Sequence, residues 1–277
     1  MNKPLQETKK SQLPFLKWAG GKRWLAHRIE SLLPEKYNKY IEPFLGGGAL
    51  FFYLKPYPAL LADINPELIN TYQQIRDNVE EVISELSQLR ISKDVYNRFR
   101  TMKPRTPLSR AVRFLYLNRT SFNGIYRVNQ EGKFNVPYGC KPGTILCDEE
   151  LLRHASKALQ GRKIVAQNFE GVIDQARFGD LIYADPPYTT KHNNNGFRRY
   201  NEIIFSWEDQ ERLAKSLERA LDRGVHVIMS NANHAPLIEL YDKRFTVQSV
   251  VRKSLIGASI ASRGSISECL IHQIHKL

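Results

Sequence analysis

Short apolar runs alternate with longer segments of mixed polarity along most of the chain. Runs of this length predict buried strands, because a strand that is covered on both faces of a parallel sheet shows no polar alternation. We predict such strands at residues 60–63, 163–166, 181–184 and 225–231, and one or more late strands within residues 245–274. A further strand, a glycine loop and the start of an apolar helix are predicted in residues 40–52.

Helical periodicity is typical of the segments between these runs. It predicts helices at about residues 24–33 and 207–222, and a mostly helical stretch from about residue 75 to residue 118. Two β-prone runs on either side of residues 129–132 predict a hairpin. The order of these elements indicates an α/β sheet that is interrupted by an inserted segment of helices and a hairpin.

The charge of the chain favours a polyanionic partner. Lysine and arginine total 41 against 28 for aspartate and glutamate, a net charge of +13, and basic side chains gain affinity by releasing counterions from phosphates. No apolar run reaches the roughly 18 residues of a membrane helix, and the polar first residues lack the apolar core of a secretory signal. The 3 cysteines and 7 histidines lack ligand spacing. We expect a cytoplasmic protein without a membrane or metal partner.

The tetrapeptide Asp185-Pro186-Pro187-Tyr188 follows the predicted strand at residues 181–184. Neither proline can donate to a strand ladder, so the strand must stop there. Asp185 and Tyr188 are then expected at the carboxyl edge of the sheet, where open α/β folds bind ligands. The segment lacks two backbone donors and offers a carboxylate and carbonyl oxygens, which suits an amino group beside an aromatic ring. Judged from these four residues alone, a stiff turn with a surface tyrosine explains the pattern equally well.

A glycine loop, Gly46-Gly47-Gly48, precedes the acid Asp63 by about 15 positions. An acid at the end of a strand can accept hydrogen bonds from ribose hydroxyls. The spacing is shorter than the ~20 residues of the dinucleotide fingerprint, and the chain has no P-loop motif for a phosphate chain. We therefore favour S-adenosylmethionine, a nucleoside cofactor without phosphates, whose carboxylate Lys22 or loop N–H groups could bind. Glycines can also serve only a tight turn.

An amino group of adenine or cytosine is the target that these two motifs favour. Its lone pair is delocalised into the ring, so the nitrogen attacks well only if its hydrogens are held out of the ring plane. Asp185 and the carbonyl of Pro186 are the expected acceptors, and the transfer then depends on positioning and electrostatics. Duplex DNA hides the amine, so the base must rotate out and stack on an aromatic ring. Tyr188 is the expected ring.

The chain contains, in order, KWAGGK, EPFLGGGAL, the acid Asp63, NRTSFNGIYRVN with GKFNVPYG, and DPPY. Together these stretches, spread over residues 13–270, resemble the Dam family of DNA N6-adenine methyltransferases, of the D12 class. The resemblance implies a Rossmann-like S-adenosylmethionine-dependent methyltransferase sheet with an inserted target-recognition domain of helices and a β-hairpin. It also implies site-specific adenine methylation in double-stranded DNA by base flipping, with GATC as the recognition core.

The resemblance assigns roles to individual residues. It implies cofactor contacts by Trp18, Lys22, Phe44, Gly46, Gly48, Asp63, Phe169 and Asp185. It implies that the catalytic residues are Asp185, Pro186 and Tyr188, and that the DNA contacts are Asn123, Ile125, Arg127 and Pro137. The glycine loop is expected at the methionine portion of the cofactor, and Phe169 near its adenine. Arg127 is expected on a guanine edge, which suits a bidentate arginine contact.

The implied organisation divides the chain at the insert. Residues 1–12 are a disordered basic tail, residues 13–72 and 151–277 the two parts of the catalytic domain, and residues 73–150 the target-recognition insert with its DNA-reading hairpin at 123–138. Two other functions stay open at this point: an RNA adenine or guanine amino-methyltransferase, and a DNA-binding regulator without catalysis. The sequence also leaves open whether a cognate restriction endonuclease is a functional partner or whether methylation serves replication and repair.

Overall fold

A seven-stranded sheet organises the protein. The computed structural model describes residues 12–18, 20–129, 132–188, 205–253 and 265–275, so the expected tail lies outside the described residues except for Gln12. The strands are Tyr40–Glu42 (β1), Ala59–Asp63 (β2), Lys163–Ala166 (β3), Leu181–Ala184 (β4), His226–Ala232 (β5), Thr246–Lys253 (β6) and Ser265–Gln273 (β7). Their order in the sheet is β3-β2-β1-β4-β5-β7-β6. The predicted α/β class is confirmed.

The parallel part of the sheet brings several predicted site residues to one edge. Strand β1 pairs in parallel with β2 and β4, and β4 pairs in parallel with β5. The carboxyl ends of these strands therefore share one edge, where open α/β sheets bind ligands. Strand β2 ends at Asp63, and β4 ends one residue before Asp185. Strand β7 is antiparallel to both of its neighbours, β5 and β6.

Burial explains why the central strands have apolar sequences without alternation. Every residue of β1 and of β4 is buried, and so is all of β5 except Ala232. Strands covered on both faces need apolar side chains at successive positions. The strands predicted at residues 163–166 and 181–184 are confirmed. The strand predicted at residues 225–231 begins and ends one residue later, and the late strands are β6 and β7.

The helices cover the connections between strands. They are Ala26–Glu30 (α1), Ala49–Leu54 (α2), Pro66–Asp77 (α3), Val79–Ser87 (α4), Lys93–Thr101 (α5), Pro107–Thr120 (α6), Glu149–Leu159 (α7), Phe169–Ile173 (α8), Trp207–Asp222 (α9) and Ala235–Tyr241 (α10). Helix α9 has the bounds that its amphipathic pattern predicts, and a reciprocal capping box of Ser206 and Asp209 begins it. The mostly helical stretch predicted after residue 75 is also confirmed.

The helix predicted at residues 24–33 is wrong in extent. The chain forms a short 3-10 turn, Arg23–Leu25, and then α1, which ends at Glu30. Pro34 gives a physical reason, because its ring disfavours the helical conformation of the residue before it, Leu33. The apolar periodicity of this segment continues beyond the point at which its backbone can stay helical.

The chain forms two compact units. The first comprises Met1–Glu30, Leu45–Tyr57 and Asp63–Ala166, and the second comprises Ser31–Phe44, Pro58–Ala62 and Gln167–Leu277. In the first unit, α3 packs on α6, and Arg110 Nη2 lies 2.6 Å from Oε1 of Glu67. In the second unit, α9 packs on β5 and on α8. The boundaries predicted at residues 73 and 150 divide the catalytic domain from the target-recognition insert. This functional division stays a prediction.

The predicted hairpin at residues 123–138 is present as a chain reversal but not as two regular strands. Val128 and Phe134 form an isolated antiparallel bridge. The ring of Tyr126 stacks on that of Phe114 from α6, with centroids 4.4 Å apart, and meets the ring of Phe134 at 5.4 Å. Backbone hydrogen bonds from Asn135 to Arg127 and from Asn129 to Lys133 also join the two arms, so aromatic packing and an irregular ladder together hold this segment.

Candidate functional site

The glycine loop is shaped by the indole of Trp18. Gly46 and Gly48 have φ of +47° and +65°, a region that favours glycine. A Cβ at Gly46 would lie 2.8 Å from Nε1 of Trp18, and one at Gly47 would lie 2.8 Å from Cβ of Trp18. The indole thus packs directly against the loop backbone. This contact, which the spacing of the motifs does not show, explains why the loop needs successive glycines.

Replacing Gly46 with alanine is expected to lower the stability of the protein by more than backbone strain alone would. Left-handed φ costs a residue with a Cβ about 1–2 kcal/mol, and overpacking against Trp18 adds about 1–3 kcal/mol. The matched control is Gly143→Ala, because Gly143 has φ of +75° and nothing within 4 Å of an added Cβ. Urea unfolding of both variants measures the difference. Equal losses would show that the indole tolerates the extra methyl group.

Asp63 is tied to the glycine loop. Its Oδ2 accepts a hydrogen bond from the backbone N of Gly46 at 3.0 Å, and its Oδ1 accepts one from the N of Asn65 at 2.9 Å. Burial raises the pKa of Asp63, while the hydrogen bonds from Asn65, Gly46 and Ile64 oppose this shift. A carboxylate offers about four lone-pair positions, so the three backbone bonds leave Asp63 capacity to accept about one hydroxyl group.

Lys22 is a buried cation and not the solvated side chain that an ordinary helix start would have. It is 5% exposed, and its Nζ donates to the carbonyl of Gly20 at 2.9 Å. A positive charge at this position attracts an anionic group that binds beside the loop. Tyr72 also stabilises the glycine loop, because its hydroxyl donates to the carbonyl of Gly46 at 3.0 Å.

The carboxylate of Asp185 is held by a residue of the neighbouring strand. Ser230, fully buried in β5, donates from Oγ to Oδ1 of Asp185 at 2.7 Å. The hydroxyl of Tyr183 lies 3.0 Å from the same Oγ. Because Ser230 gives its single hydrogen to Asp185, Tyr183 must donate to Ser230. Burial, and next the charge of Asp185, raises the pKa of Tyr183 well above its usual range. Tyr183, Ser230 and Asp185 thus form a chain of hydrogen bonds that fixes the orientation of the Asp185 carboxylate.

Tyr188 is anchored at its hydroxyl. Its Oη donates to Oε2 of Glu268, a residue of β7, at 2.8 Å. Burial, followed by the charges of Asp185 and Glu268, raises the pKa of Tyr188 well above its usual range. The hydroxyl therefore stays protonated. Pro186 is buried between these two residues of the motif, while Asp185 and Tyr188 keep part of their surface exposed. Asp185 and Tyr188 are thus each held by a side chain of another strand, and the niche that accepts an amino group stays a prediction.

An aromatic cluster brings together two residues that the resemblance assigns to the cofactor. The ring of Phe44 stacks on that of Phe169 with centroids 5.4 Å apart. Phe205 meets Phe44 edge-on at 5.6 Å and Phe169 at 5.7 Å. Phe44 lies two residues after the end of β1, and Phe169 is the first residue of α8. Apolar rings at this position can pack against a flat ring system.

The predicted DNA-reading residues lie in the first unit. Arg127 donates from Nε to Oδ1 of Asn135 at 2.7 Å, across the two arms of the hairpin. Asn123 is exposed and has φ of +54°, and Pro137 is exposed too. Ile125 is half-buried. A bond at Nε fixes the plane of the guanidinium, whose terminal nitrogens form the fork that suits a guanine edge.

The predicted site residues thus fall into two sets. Trp18, Lys22, Gly46, Gly48 and Asp63 lie in the first unit with the hairpin residues, and the second unit holds Phe44, Phe169, Asp185, Pro186 and Tyr188. The motifs do not reveal Tyr183, Glu268 or Asn135 as partners of these residues, and suggest Ser230 only by its place at a strand end. An acid inside the predicted late strand is the one local signal that marks Glu268.

Two kinds of feature, a metal site and a membrane-spanning helix, are absent from the described part of the chain. It contains no group of three or more histidine, cysteine, aspartate or glutamate side chains placed to hold a metal ion. No helix in those residues is both long and apolar enough to cross a membrane.

Comparison with known proteins gives matches over nearly the whole chain. A family model described as D12 class N6 adenine-specific DNA methyltransferase matches residues 18–256. The type II methyltransferase M1.LlaDCHI of Lactococcus lactis subsp. cremoris is 40% identical, over 96% of this chain and 97% of its own. The type II methyltransferase M.MjaIII of Methanocaldococcus jannaschii is 35% identical, over 88% and 92%. The DNA adenine methylase of Escherichia coli strain K12 is 33% identical, over 94% and 95%.

Proposed function

The chain belongs to the D12 class of N6 adenine-specific DNA methyltransferases, and on this basis we propose its methyl donor, its target sequence and the roles of its residues. As a member of this class it is a site-specific enzyme that methylates adenine in DNA. Membership decides against the RNA methyltransferase and the non-catalytic regulator. The proposed donor is S-adenosyl-L-methionine, the proposed substrate is duplex DNA with a GATC core, and the proposed compartment is the cytoplasm.

The residues of the first unit fit the proposed donor. When bound, S-adenosyl-L-methionine supplies a methyl carbon made electrophilic by a positively charged sulfur. The buried ammonium of Lys22 suits its carboxylate. Asp63 keeps capacity to accept a ribose hydroxyl. Trp18 holds the loop in the shape that presents these groups. In the second unit, Phe44 and Phe169 provide apolar rings that suit the adenine portion.

When the pH is lowered, donor binding is expected to weaken at a higher pH than it would with an aspartate of ordinary pKa. The pKa of Asp63 is raised, so as the pH falls its carboxyl becomes protonated sooner and loses its capacity to accept ribose hydroxyls. Affinity should be full above the raised pKa and fall below it. Isothermal titration of the donor across the acidic range measures this effect. The Asp63→Asn variant should bind the donor weakly at all pH values. If this variant keeps the pH dependence of the original enzyme, Asp63 does not have the proposed role.

The observation that carries the proposed reaction is the hydrogen bond from Ser230 to Asp185. It orients a carboxylate that accepts one N6 hydrogen of the flipped adenine, while the carbonyl of Pro186 accepts the other. The nitrogen then becomes pyramidal, which frees its lone pair for the methyl group that the bound donor would supply, and the sulfur of the donor would keep the electron pair of the bond that it loses. The methylated nitrogen carries a positive charge until it releases a proton, through Asp185, to water. Tyr188 supports the flipped base by stacking.

Transfer of labelled methyl groups tests this function. The substrates are a duplex with one GATC site, the same duplex with adenine exchanged for another base, single-stranded DNA and RNA. We expect label in the first duplex alone at low enzyme concentration, with the methyl group on adenine N6. Preferential labelling of RNA, or of a duplex without GATC, would contradict the proposed substrate.

Arg127→Ala is expected to relax discrimination at one guanine of the target by ~1–3 kcal/mol. The reason is that the guanidinium, whose plane Asn135 fixes, makes the proposed bidentate contact to that base. Competition between duplexes with single substitutions measures specificity. Arg153→Ala is a matched control in the same unit, because Arg153 is paired with Glu80 and Glu149 on the surface. Unchanged specificity in Arg127→Ala would contradict the hairpin assignment.

We also propose that the methylation protects DNA against a cognate restriction endonuclease. The type II methyltransferases among the relatives support this role. DNA from cells that express this enzyme as their only adenine methyltransferase should resist an endonuclease that cuts unmodified GATC. DNA from cells that express Asp185→Ala should be cut. Cleavage of both preparations would show that GATC is not the methylated site.

A further inference from the structure

The hydroxyl of Tyr188 is bound by a carboxylate from a distant part of the chain. Its Oη lies 2.8 Å from Oε2 of Glu268, and 80 positions separate the two residues. Glu268 is only 5% exposed. Removing a carboxylate from water is costly unless hydrogen bonds satisfy its oxygens. An acid in the middle of a strand, between Ser267 and Cys269, therefore needs a structural or chemical reason, and the tyrosine hydroxyl offers one.

The sheet holds Glu268 on both sides. In β7 it pairs with Ala232 of β5 and with Val250 of β6. Strand β7 thus lies inside the sheet with a ladder along each edge. Groups on regular elements are placed more accurately than groups on loops. Glu268 can therefore fix the position of whatever it binds.

The segment that carries Tyr188 gains most from a restraint at the far end of the ring. Residues 185–188 have no regular secondary structure, and the two prolines fix their own φ angles but donate no hydrogen bonds. The ring can still tilt about the side-chain torsions of Tyr188. A bond at Oη, the atom farthest from the backbone, limits this tilt. Because burial and two carboxylates raise the pKa of Tyr188, the hydroxyl remains a donor.

We propose that Glu268 is a positioning residue for methyl transfer: it binds the hydroxyl of Tyr188 and thereby sets the angle of the ring on which the flipped adenine stacks. This inference rests on the proposed stacking role of Tyr188 and deepens it. Stacking requires only an aromatic face, so phenylalanine would serve that purpose. The bond to Glu268 explains why position 188 carries a tyrosine.

Three variants remove or keep the hydrogen bond. Tyr188→Phe removes its donor and Glu268→Met removes its acceptor, whereas Glu268→Gln keeps an acceptor oxygen. We expect kcat to fall about five- to tenfold in the first two variants, the range for a lost hydrogen bond of ordinary strength. The double variant Tyr188→Phe with Glu268→Met should lose no more than either single variant. Glu268→Gln should retain turnover within about twofold of the original enzyme. KM for the donor should not change.

Fluorescence of 2-aminopurine, placed at the target adenine, reports the stacking directly. The ring of Tyr188 changes the emission of the flipped base, so Tyr188→Phe and Glu268→Met should shift the bound-state intensity by the same amount. Glu268→Gln should give the original intensity. If Glu268 had a purely structural role, Tyr188→Phe and Glu268→Met would not shift the fluorescence by the same amount. Should Glu268→Met not fold, Tyr188→Phe and Glu268→Gln still decide the outcome, because the predicted ordering needs only these two.

Tyr241→Phe is the matched control. Tyr241 is fully buried in the same unit, and its hydroxyl has no hydrogen-bond partner among the described residues. It should leave kcat and the fluorescence unchanged. Full turnover in Tyr188→Phe, or losses that multiply in the double variant, would overturn the role of Glu268. Full turnover in Tyr188→Ala would instead overturn the stacking role of Tyr188, so the two failures are distinguishable.

Discussion

Replacing Asp185 with alanine is expected to lower kcat by about 10²–10³-fold or more, the range for removing one preorganised electrostatic group. The carboxylate that Ser230 and Tyr183 orient is then missing, so one N6 hydrogen has no acceptor and the nitrogen lone pair stays delocalised in the ring. Single-turnover transfer of labelled methyl groups measures the chemical step. Binding of the duplex should change much less than turnover, because phosphate contacts elsewhere supply most of that affinity.

Asp185→Asn separates the chemistry from the packing. The amide has the shape of the carboxylate, and its oxygen can still accept from Ser230, but an NH₂ group replaces an acceptor. Its turnover should fall nearly as far as that of the alanine variant, with a thermal unfolding midpoint close to the original. Asp222→Asn serves as the control, since Asp222 is an exposed acid paired with Arg244. Original activity in Asp185→Asn would refute an acceptor role.

Removal of the ring at position 188 is the second large effect. Stacking of a base on an aromatic side chain is worth about 1–3 kcal/mol, so Tyr188→Ala should reduce kcat/KM by about 5- to 150-fold. Tyr188→Phe and Tyr188→Trp keep an aromatic face and should retain part of the activity. Steady-state kinetics on a single-site duplex provide the comparison.

The order of these three variants is the decisive result. A stacking role predicts that the alanine variant is the weakest, whereas the loss of the hydroxyl alone costs less. If all three variants lose activity equally, the hydroxyl or the exact fit of the side chain matters and stacking does not. Thermal unfolding of each variant shows whether the bond to Glu268 also contributes to stability.

Much of the fold follows from local patterns in the chain. Helix α9 is predictable to the residue, because its apolar face, its capping box at Ser206 and its polar C-terminal region agree with one another. Strand β4 is predictable because a short apolar run ends at two prolines. The failure at residues 24–33 arises where apolar periodicity continues but Pro34 prevents the backbone from following it. The hairpin is only partly predictable, because its backbone pairing is irregular and the packing of Tyr126 on α6 adds to it.

The candidate site is predictable where its chemistry lies within one motif. The order of strand, acid and prolines is enough to place Asp185 at the sheet edge. The partners that fix the site are not predictable in this way, because Ser230 lies 45 positions from Asp185 and Glu268 lies 80 positions from Tyr188. The first contact depends on the pairing of β4 with β5, and the second depends on the place of β7 between β5 and β6. Local propensity carries no information about that order.

The interior place of β7 has a consequence for synthesis on the ribosome. Strands β5 and β6 are translated before the strand that joins them, and 32 residues lie between the end of β5 at Ala232 and the start of β7 at Ser265. At ~5–20 residues per second, this interval lasts about two to six seconds. Until β7 emerges, each strand lacks its β7 partner once it has been translated, and Tyr188 has no Glu268 to bind. A nascent chain therefore acquires a complete anchor for its target base only when β7 has emerged.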